Sequence, residues 1–333
     1  MNLTPEMKAQ LAEQKKQCIF CKLIAGEMPA KTVFEDGRTI GMLDIYPALK
    51  GHTLFMPKEH YPIMPYLPGD EFSHFFGILP RLSASIMKAM ISTGVNVFIA
   101  NGGVAGQQAS HFLVHVLPRE AGDGFFNFFF DQRKAKISEE KKNILQHNFP
   151  TMMANHFSRN PAAWHQGAGE RPAFLKPSTV LYEDEKVLVS LPEKGVAEGH
   201  IEIYSKEEKD FQKLSPESAS HLFFVASFAA TAVFEGLGAH GTNIIVKSGV
   251  SDDNPSGRLS MHIIPRKQDD GLKLQWEPKQ PKYNLDEVVS MIKDKTWEIN
   301  VVKKKVLVEE PQKVEKKKIA PHDEIRKAIE RLH

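Results

Sequence analysis

The sequence predicts an α+β fold that is built twice, each time as an antiparallel sheet with one long crossing helix. The first observation is an internal repeat. GVNVFIANGGVAGQQASHFLVHVLPR, which begins at Gly94, aligns without a gap with GTNIIVKSGVSDDNPSGRLSMHIIPR, which begins at Gly241. The second is that short alternating apolar runs flank one long apolar-periodic segment in each copy. Because the order is the same in both copies, we expect two units of one architecture.

The elements of each unit follow in a fixed order. Two alternating apolar strands come first, and the second follows a Gly-His pair, at Gly51 and at Gly199. The long segments have the spacing of helices, and Pro80 should kink the first one. Two more strands follow, and a shorter helix near residues 138–147 and 285–293 closes each unit.

The remaining segments have other compositions. MNLTPEMKAQLAEQKKQ predicts a short helix capped at Thr4, and Pro, Gly and Asn are frequent in 149–175. Residues 296–333 hold 10 Lys/Arg against 7 Asp/Glu, with a terminal helix entered at Pro321. We therefore expect units at 1–148 and 176–295, a linker at 149–175 and a basic tail at 296–333.

The composition limits the classes of function. Hydrophobic residues at 41%, charged residues at 25% and a net charge of +2 indicate a globular protein and give no general signal for nucleic acid or membrane binding. We expect no membrane span, because no apolar run reaches the roughly 18 residues required. The polar N-terminus lacks the apolar middle of a signal peptide, so a cytoplasmic location is expected. The tail is expected to be solvated or to dock a protein partner, with weak RNA or membrane-surface contact through its lysines as the alternative.

The two cysteines, Cys18 and Cys21, stand in CIFC. In a reducing compartment a structural disulfide is not expected, so the pair indicates half of a zinc site or a redox pair. A zinc site needs two further ligands from elsewhere in the chain.

A run of motifs resembles a known family. CIFCKLIAGEMPAKTVFED, LDIYP, KGHTLFMPKEH, AGQ and HFLVHVLPR follow one another as in the histidine triad (HIT) superfamily, most closely its branch with a zinc knuckle. The resemblance extends over most of the first unit and, more faintly, of the second. It implies an α+β fold that pairs as a two-fold dimer, here as an internal pseudo-dimer, and a purine nucleotide as the partner.

The central family motif is His-φ-His-φ-His, in which φ is apolar and the middle histidine attacks the α-phosphate of a nucleotide. The matching residues are His111, Leu113 and His115 in the first unit. In the second unit they are Arg258, Ser260 and His262. Leucine has no lone pair, and serine would need an adjacent base.

The resemblance therefore implies a nucleotide-binding protein without the usual nucleotidyl-histidine hydrolysis. One alternative is a phosphohydrolase or nucleotidyltransferase that acts on dinucleoside polyphosphates or nucleoside phosphoramidates. Another is a non-catalytic scaffold. Whether the chain is an enzyme stays open at this point.

The resemblance also implies binding residues. The nucleotide contacts would come from Asp44, Ile45, Asn101, Gly106, Gln107 and His115. One structural zinc per chain would be held by Cys18, Cys21, His52 and His111. The second unit has Pro192 in place of the aspartate and no Gly-Gln pair, so it is expected to be structural.

Overall fold

The computed structural model describes residues 5–130, 133–157 and 180–300. Its helices are α1 (Pro5–Gln17), α2 (Ile19–Ile24), α3 (Gly69–Met90), α4 (Glu139–Phe157), α5 (Pro216–Leu237) and α6 (Leu285–Asn300). Its strands are β1 (Thr32–Glu35), β2 (Thr39–Leu43), β3 (Thr53–Pro57), β4 (Gly94–Asn101), β5 (Val114–Arg119), β6 (Val180–Glu183), β7 (Val187–Ser190), β8 (Ile201–Ser205), β9 (Gly241–Gly249) and β10 (Ser260–Arg266).

Each unit has three strands before its long helix, where the sequence predicted two. The extra strand comes from a hairpin, β1–β2 in the first unit and β6–β7 in the second. An aspartate holds each turn. Asp36 accepts hydrogen bonds from the backbone N–H groups of Arg38 and Thr39, and Asp184 does the same in the second unit. Side-chain acceptors of this kind stabilise tight turns, so each predicted first strand folds back as two.

All ten strands form one antiparallel sheet in the order β1-β2-β3-β5-β4-β9-β10-β8-β7-β6. Strands β4 and β9 join the two units, with a register that runs from Gly94 opposite Gly249 to Asn101 opposite Thr242. The described residues up to Asn300 form one compact body. This arrangement confirms the predicted α+β fold and the internal pseudo-dimer.

The long helices α3 and α5 pack against each other over the same sheet. Phe72 stacks on Phe224 with ring centroids 4.0 Å apart, and Phe76 stacks on Phe223 at 4.1 Å. Among the described helices, α5 has the length and composition of a membrane span, contrary to the expectation from the sequence. Most of α5 is buried against α3, α4 and the sheet, which is typical of a core helix.

The closing helices are exchanged between the units, which the sequence did not predict. Helix α4 follows the first unit but packs on α5 and β6, whereas α6 follows the second and packs on α3 and β1. Thr296 of α6 donates a hydrogen bond to the Val33 carbonyl at 2.7 Å. The connections that leave β5 and β10 start close to the β4–β9 junction, so a short path leads to the opposite unit.

These helices also bear on the expected boundaries. Helix α4 extends to Phe157, into the expected linker. The rest of that linker and the tail beyond Asn300, including its predicted terminal helix, lie outside the described residues.

Candidate functional site

A cavity of about 680 Å³ opens on the first unit. One wall is apolar and consists of α2 side chains together with Met42 and Leu54. Asp44, Gln108 and His115 lie among its polar lining residues. The second unit contributes Gln275 and Trp276, so both repeats build this one cavity.

The three triad positions of the first unit all line this cavity. Strand β5 begins only at Val114, yet the alternation expected of a strand extends upstream of it. Phe112 and Val114 are buried in the core on the opposite side. Leu113 packs against the apolar cluster that contains Met42 and Leu54. It therefore extends the apolar wall between His111 and His115.

His115 belongs to a chain of hydrogen bonds that sets its protonation. The Ala48 N–H donates to His52 Nδ1 at 3.2 Å, and His52 Nε2 lies 3.0 Å from His115 Nδ1. Because a backbone N–H can only donate, a neutral His52 has its proton on Nε2 and gives this hydrogen bond to His115. Burial lowers the pKa of both histidines to about 3, so both are neutral at pH 7. His115 must then have its own proton on Nε2.

The second unit repeats this chain and extends it to Ser260. The Val196 N–H donates to His200 Nδ1, and His200 Nε2 lies 3.2 Å from His262 Nδ1. By the same reasoning His262 has its proton on Nε2, which lies 3.1 Å from Ser260 Oγ. The serine therefore accepts from the imidazole. In this state His262 has no free lone pair with which to take the proton of Ser260.

The histidine pair of the second unit is covered. The Phe130 ring lies 5.2 Å from His262, and Lys247 Nζ lies 3.8 Å above the centre of that ring. Arg133 forms an ion pair with Glu202 in the same region. In the alignment of the two repeats, Lys247 corresponds to Ala100, which lines the open cavity of the first unit. The larger side chain fills space that the small one leaves open.

The covering aromatic residues are exchanged between the units. Trp276 of the second unit lies edge-on to His52 and His115, with ring centroids 5.1 and 5.2 Å away. The side-chain amide of Gln275 donates to the carbonyl of Gly106. Gly106 has a φ of +90°, a backbone conformation that favours glycine. A Cβ at this position would also clash with the Gln275 side chain, which would lie 2.0 Å from it. Sequence reasoning missed Trp276 because nothing in its own segment points to the other unit.

Five of the six predicted nucleotide residues line the cavity, namely Asp44, Ile45, Gly106, Gln107 and His115. Asp44 Oδ1 accepts from the Tyr46 N–H, and Asp44 Oδ2 lies 3.5 Å from His52 Nδ1. Ile45 is 54% exposed at the mouth of the cavity. Gly106 and His115 belong to the same lining. Their roles in binding stay predictions.

The side-chain amides of Gln107 and Asn101 form hydrogen bonds within the protein. Gln107 Oε1 accepts from the Gly102 N–H at 2.9 Å, and its Nε2 donates to the carbonyls of Pro62 and Ala109. Asn101 is buried away from the cavity lining, where it accepts from the Met64 N–H and donates to Thr242. Both residues were expected to contact a nucleotide, and in this structure their amides are engaged in these hydrogen bonds.

The cysteines meet two histidines in a separate cluster. His111 Nδ1 lies 3.6 Å from Cys18 Sγ and 3.5 Å from Cys21 Sγ, and His60 Nδ1 lies 3.3 Å from Cys21 Sγ. The four ligand atoms are all within 4.8 Å of one another. Burial and the neighbouring Cys18 raise the pKa of the Cys21 thiol to about 12.

His60 takes the place in this cluster that the sequence assigned to His52. The two histidines flank opposite ends of β3, and His60 is at the end near CIFC. Five strand residues span about 16 Å, so one of the two can reach the cysteines and the other cannot. The expected ligand set is corrected at this one position.

Comparison with known proteins decides the family. The HIT domain model matches twice, at residues 25–122 and 174–269, which together make up more than half of the chain. The chain belongs to the HIT domain family.

Relatives of this HIT protein include proteins with and without a named activity. An uncharacterized HIT-like protein of Methanocaldococcus jannaschii is 40% identical over 127 residues, which are 38% of this chain and 98% of the relative. An adenosine 5'-monophosphoramidase of Candida albicans is 33% identical over 31% of this chain and 70% of its own length. A Zn-bound histidine triad family protein from Mycobacterium smegmatis is 31% identical, with a TM-score of 0.31, over 33% of this chain and 80% of its own.

Proposed function

We propose that this HIT protein binds a purine nucleotide-type ligand in the cavity of its first unit and does not cleave it through a nucleotidyl-histidine. The observation that supports this most directly is the position of Leu113 at the cavity wall between His111 and His115. An alkyl side chain has no lone pair with which to attack phosphorus. The histidine before it has its Nδ1 beside the cysteines, so it is not available as a substitute.

The lining of the cavity suits such a ligand. The apolar wall formed by α2, Met42 and Leu54 offers a surface for a planar base. Asp44 can accept hydrogen bonds from both hydroxyl groups of a ribose. His115 offers an N–H donor nearby, since ligand atoms of Asp44, His52 and His115 lie within 4.8 Å of one another. The name of the adenosine 5'-monophosphoramidase relative adds support for an adenosine-type ligand.

The enzyme alternative would need another nucleophile. Ser260 is the candidate in the second unit, but its hydroxyl accepts from His262 and the region is covered by Phe130. General-base activation requires a lone pair aimed at the hydroxyl proton, which this tautomer does not provide. The proposal therefore assigns no catalytic residue.

The cysteine cluster is part of the proposal as a structural zinc site. Zn–S distances of about 2.3 Å and Zn–N distances of about 2.05 Å at tetrahedral angles place sulfur and nitrogen about 3.6 Å apart. The separations of 3.5 and 3.6 Å from His111 Nδ1 fit that geometry. His111 Nε2 lies 2.9 Å from the Pro57 carbonyl and donates to it, which leaves Nδ1 free to bind metal. A bound zinc would hold both thiols as thiolates, in keeping with a reducing cytoplasm.

Calorimetry on the full chain tests nucleotide-type binding. Titration with AMP, GMP, adenosine and guanosine should give saturable heat with at least one of them. Asp44→Ala should abolish that heat, whereas Asp70→Ala, which removes a carboxylate on the exposed start of α3, should leave it unchanged. Absence of binding for all four compounds would contradict the proposal.

A turnover assay on the same sample tests the missing nucleophile. The protein is incubated with a diadenosine polyphosphate and with an AMP–lysine phosphoramidate, and released AMP is measured. No release above a protein-free blank is expected. Release that Ser260→Ala abolishes would establish the enzyme alternative.

A further inference from the structure

The cavity of the first unit offers little positive charge. Among the described residues that line it, the charged side chains are Lys31 and Asp44. Lys31 Nζ lies 2.6 Å from Asp286 Oδ1 of α6, in an ion pair whose side chains are 38% and 73% exposed to solvent. Asp44 adds a negative charge on the side expected to receive ribose. A ligand anion would find no unpaired cation among these lining residues.

The polar groups that lie next to Asp44 are neutral. His52 and His115 are both uncharged at pH 7 because burial lowers each pKa to about 3. One N–H, on His115 Nε2, remains after the hydrogen bond between the two rings is made. The Gln107 amide is engaged within its loop. The side chain of Gln108 adds a neutral amide to the lining. Neutral donors serve a hydroxyl, ether or thioether as well as a phosphate oxygen, but they do not balance a double charge.

Leu113 lines the cavity beside His115, whose N–H is the donor available to the 5' group of a nucleoside. It is continuous with the apolar cluster of Met42 and Leu54 and stands next to His115 in the lining. A phosphate placed against this side chain would lose water and gain no partner there, which is costly for a charged group. An alkyl substituent at the same point would gain from burial.

We propose that Leu113 makes this cavity selective for purine nucleosides whose 5' position is uncharged, either a hydroxyl or a small alkylthio group, over the corresponding nucleotides. The inference rests on the proposed function, since it names the ligand class of the same cavity. Asp44 would bind the ribose, the His115 N–H would donate to the 5' oxygen or sulfur, and Leu113 would contact the alkyl group.

Calorimetry with matched ligands tests this selectivity. Adenosine, 5'-methylthioadenosine and AMP are titrated at pH 7.5 into the full chain, with guanosine and GMP as a second pair. For whichever base binds more tightly, the uncharged nucleoside is expected to bind at least ten-fold more tightly than its 5'-phosphate. Equal or tighter binding of the phosphate would overturn the inference and leave the proposed function standing. Absence of binding for all of these compounds would contradict both the inference and the proposed function.

Two further measurements locate the cause at Leu113. Leu113→His should shift the ratio of affinities at least ten-fold toward AMP, whereas Leu113→Met should retain the wild-type ratio. If the histidine variant does not fold, the pH dependence of the wild type decides. AMP passes from one to two negative charges near pH 6, so its affinity relative to adenosine should fall between pH 5 and pH 7.5. A ratio that is constant over this range would overturn the inference.

Discussion

Phe98 of β4 lies directly opposite Ile245 of β9, and each is the counterpart of the other in the internal repeat. The pseudo-two-fold axis of the molecule therefore passes between these two residues. Both side chains are fully buried in a cluster with Phe128 and Leu274. The junction is thus a core shared by both units.

We expect the described body to unfold in one transition because of this junction. Ile245→Lys places an unpaired charge in the shared core, so it should lower the melting temperature of the whole body. Val250→Lys is the control, since Val250 is 47% exposed and its change should cost less than about 0.5 kcal/mol. Differential scanning calorimetry provides the measurement. Two separate transitions, with only one shifted by Ile245→Lys, would contradict the prediction.

Zinc content should distinguish the two candidate histidines. Protein purified without added metal should contain one zinc per chain by mass spectrometry. His60→Ala and Cys18→Ser should lose most of it, because each removes one of four ligands that lie within 4.8 Å of one another. His52→Ala should retain the zinc, since His52 forms a hydrogen bond with His115 and is not part of the cysteine cluster. Loss of zinc from the His52 variant, with retention in the His60 variant, would show that the ligand set is wrong.

Acid should weaken the second unit through Asp184. Burial alone would raise the pKa of this carboxyl, but hydrogen bonds from His221 and from two backbone N–H groups outweigh burial and lower the pKa to about 2 from 3.8. A lowered pKa stabilises the fold above pH 4, and that stability is lost as the pH falls from about 4 to about 2. The loss should be on the order of 2 kcal/mol.

Asp184→Asn checks this effect. The free energy of unfolding, measured by urea denaturation between pH 2 and pH 7, should be lower than wild type at pH 7 and should converge with it near pH 2. Curves that stay parallel over the whole range would show that Asp184 contributes no pH-dependent stability.

Arg119 and Arg266, which occupy equivalent positions in the internal repeat, should differ in how much they contribute to the free energy of unfolding. Arg119 is fully buried and pairs with both Asp123 and Asp253, whereas Arg266 pairs with Asp270. Arg119→Met leaves two buried carboxylates without this partner and should cost about 3–5 kcal/mol. Arg266→Met should cost less, because the Asp270 side chain is 16% exposed and can reach water. Chemical denaturation of both variants gives the comparison, and equal losses would argue against it.

Trp276 should report ligand binding. Its ring lies edge-on to both histidines of the first unit and lines the cavity, so a bound ligand will change its surroundings. We expect saturable quenching of tryptophan fluorescence that Trp276→Phe removes. Trp297→Phe serves as the control, since that ring is 61% exposed on α6, away from this cavity. Quenching that survives the first change and disappears with the second would contradict the prediction.

Much of the fold could be predicted from the sequence, because the signals are local. The spacing of apolar residues predicted the long helices α3 and α5, and the ungapped repeat indicated that the strands after them match in both units. The exchange of α4 and α6 could not be predicted in this way. Which unit a closing helix packs on depends on the path of its connection, and both units offer it a similar apolar surface.

The candidate site shows the same limit. The spacing of Cys18 and Cys21 pointed to metal, the family resemblance added His111, and the structure brings these three together. The choice between His52 and His60 depends on which end of β3 faces α2, which is a three-dimensional fact. Gln107 and Asn101 had suitable chemistry, but their amides are engaged by loop backbone and by Thr242, contacts that the sequence does not reveal.

The exchange of closing segments has a consequence for how the two halves of the gene can diverge. In the second copy, Phe130 and Lys247 lie over the histidine pair, and the proposed function assigns no ligand to Arg258 or Ser260. The same copy still supplies Gln275, Trp276 and α6 to the first unit. Substitutions in the second half are therefore constrained where its residues line the cavity of the first unit or pack against it. Deletion of the second copy would therefore remove one wall of the cavity in the first.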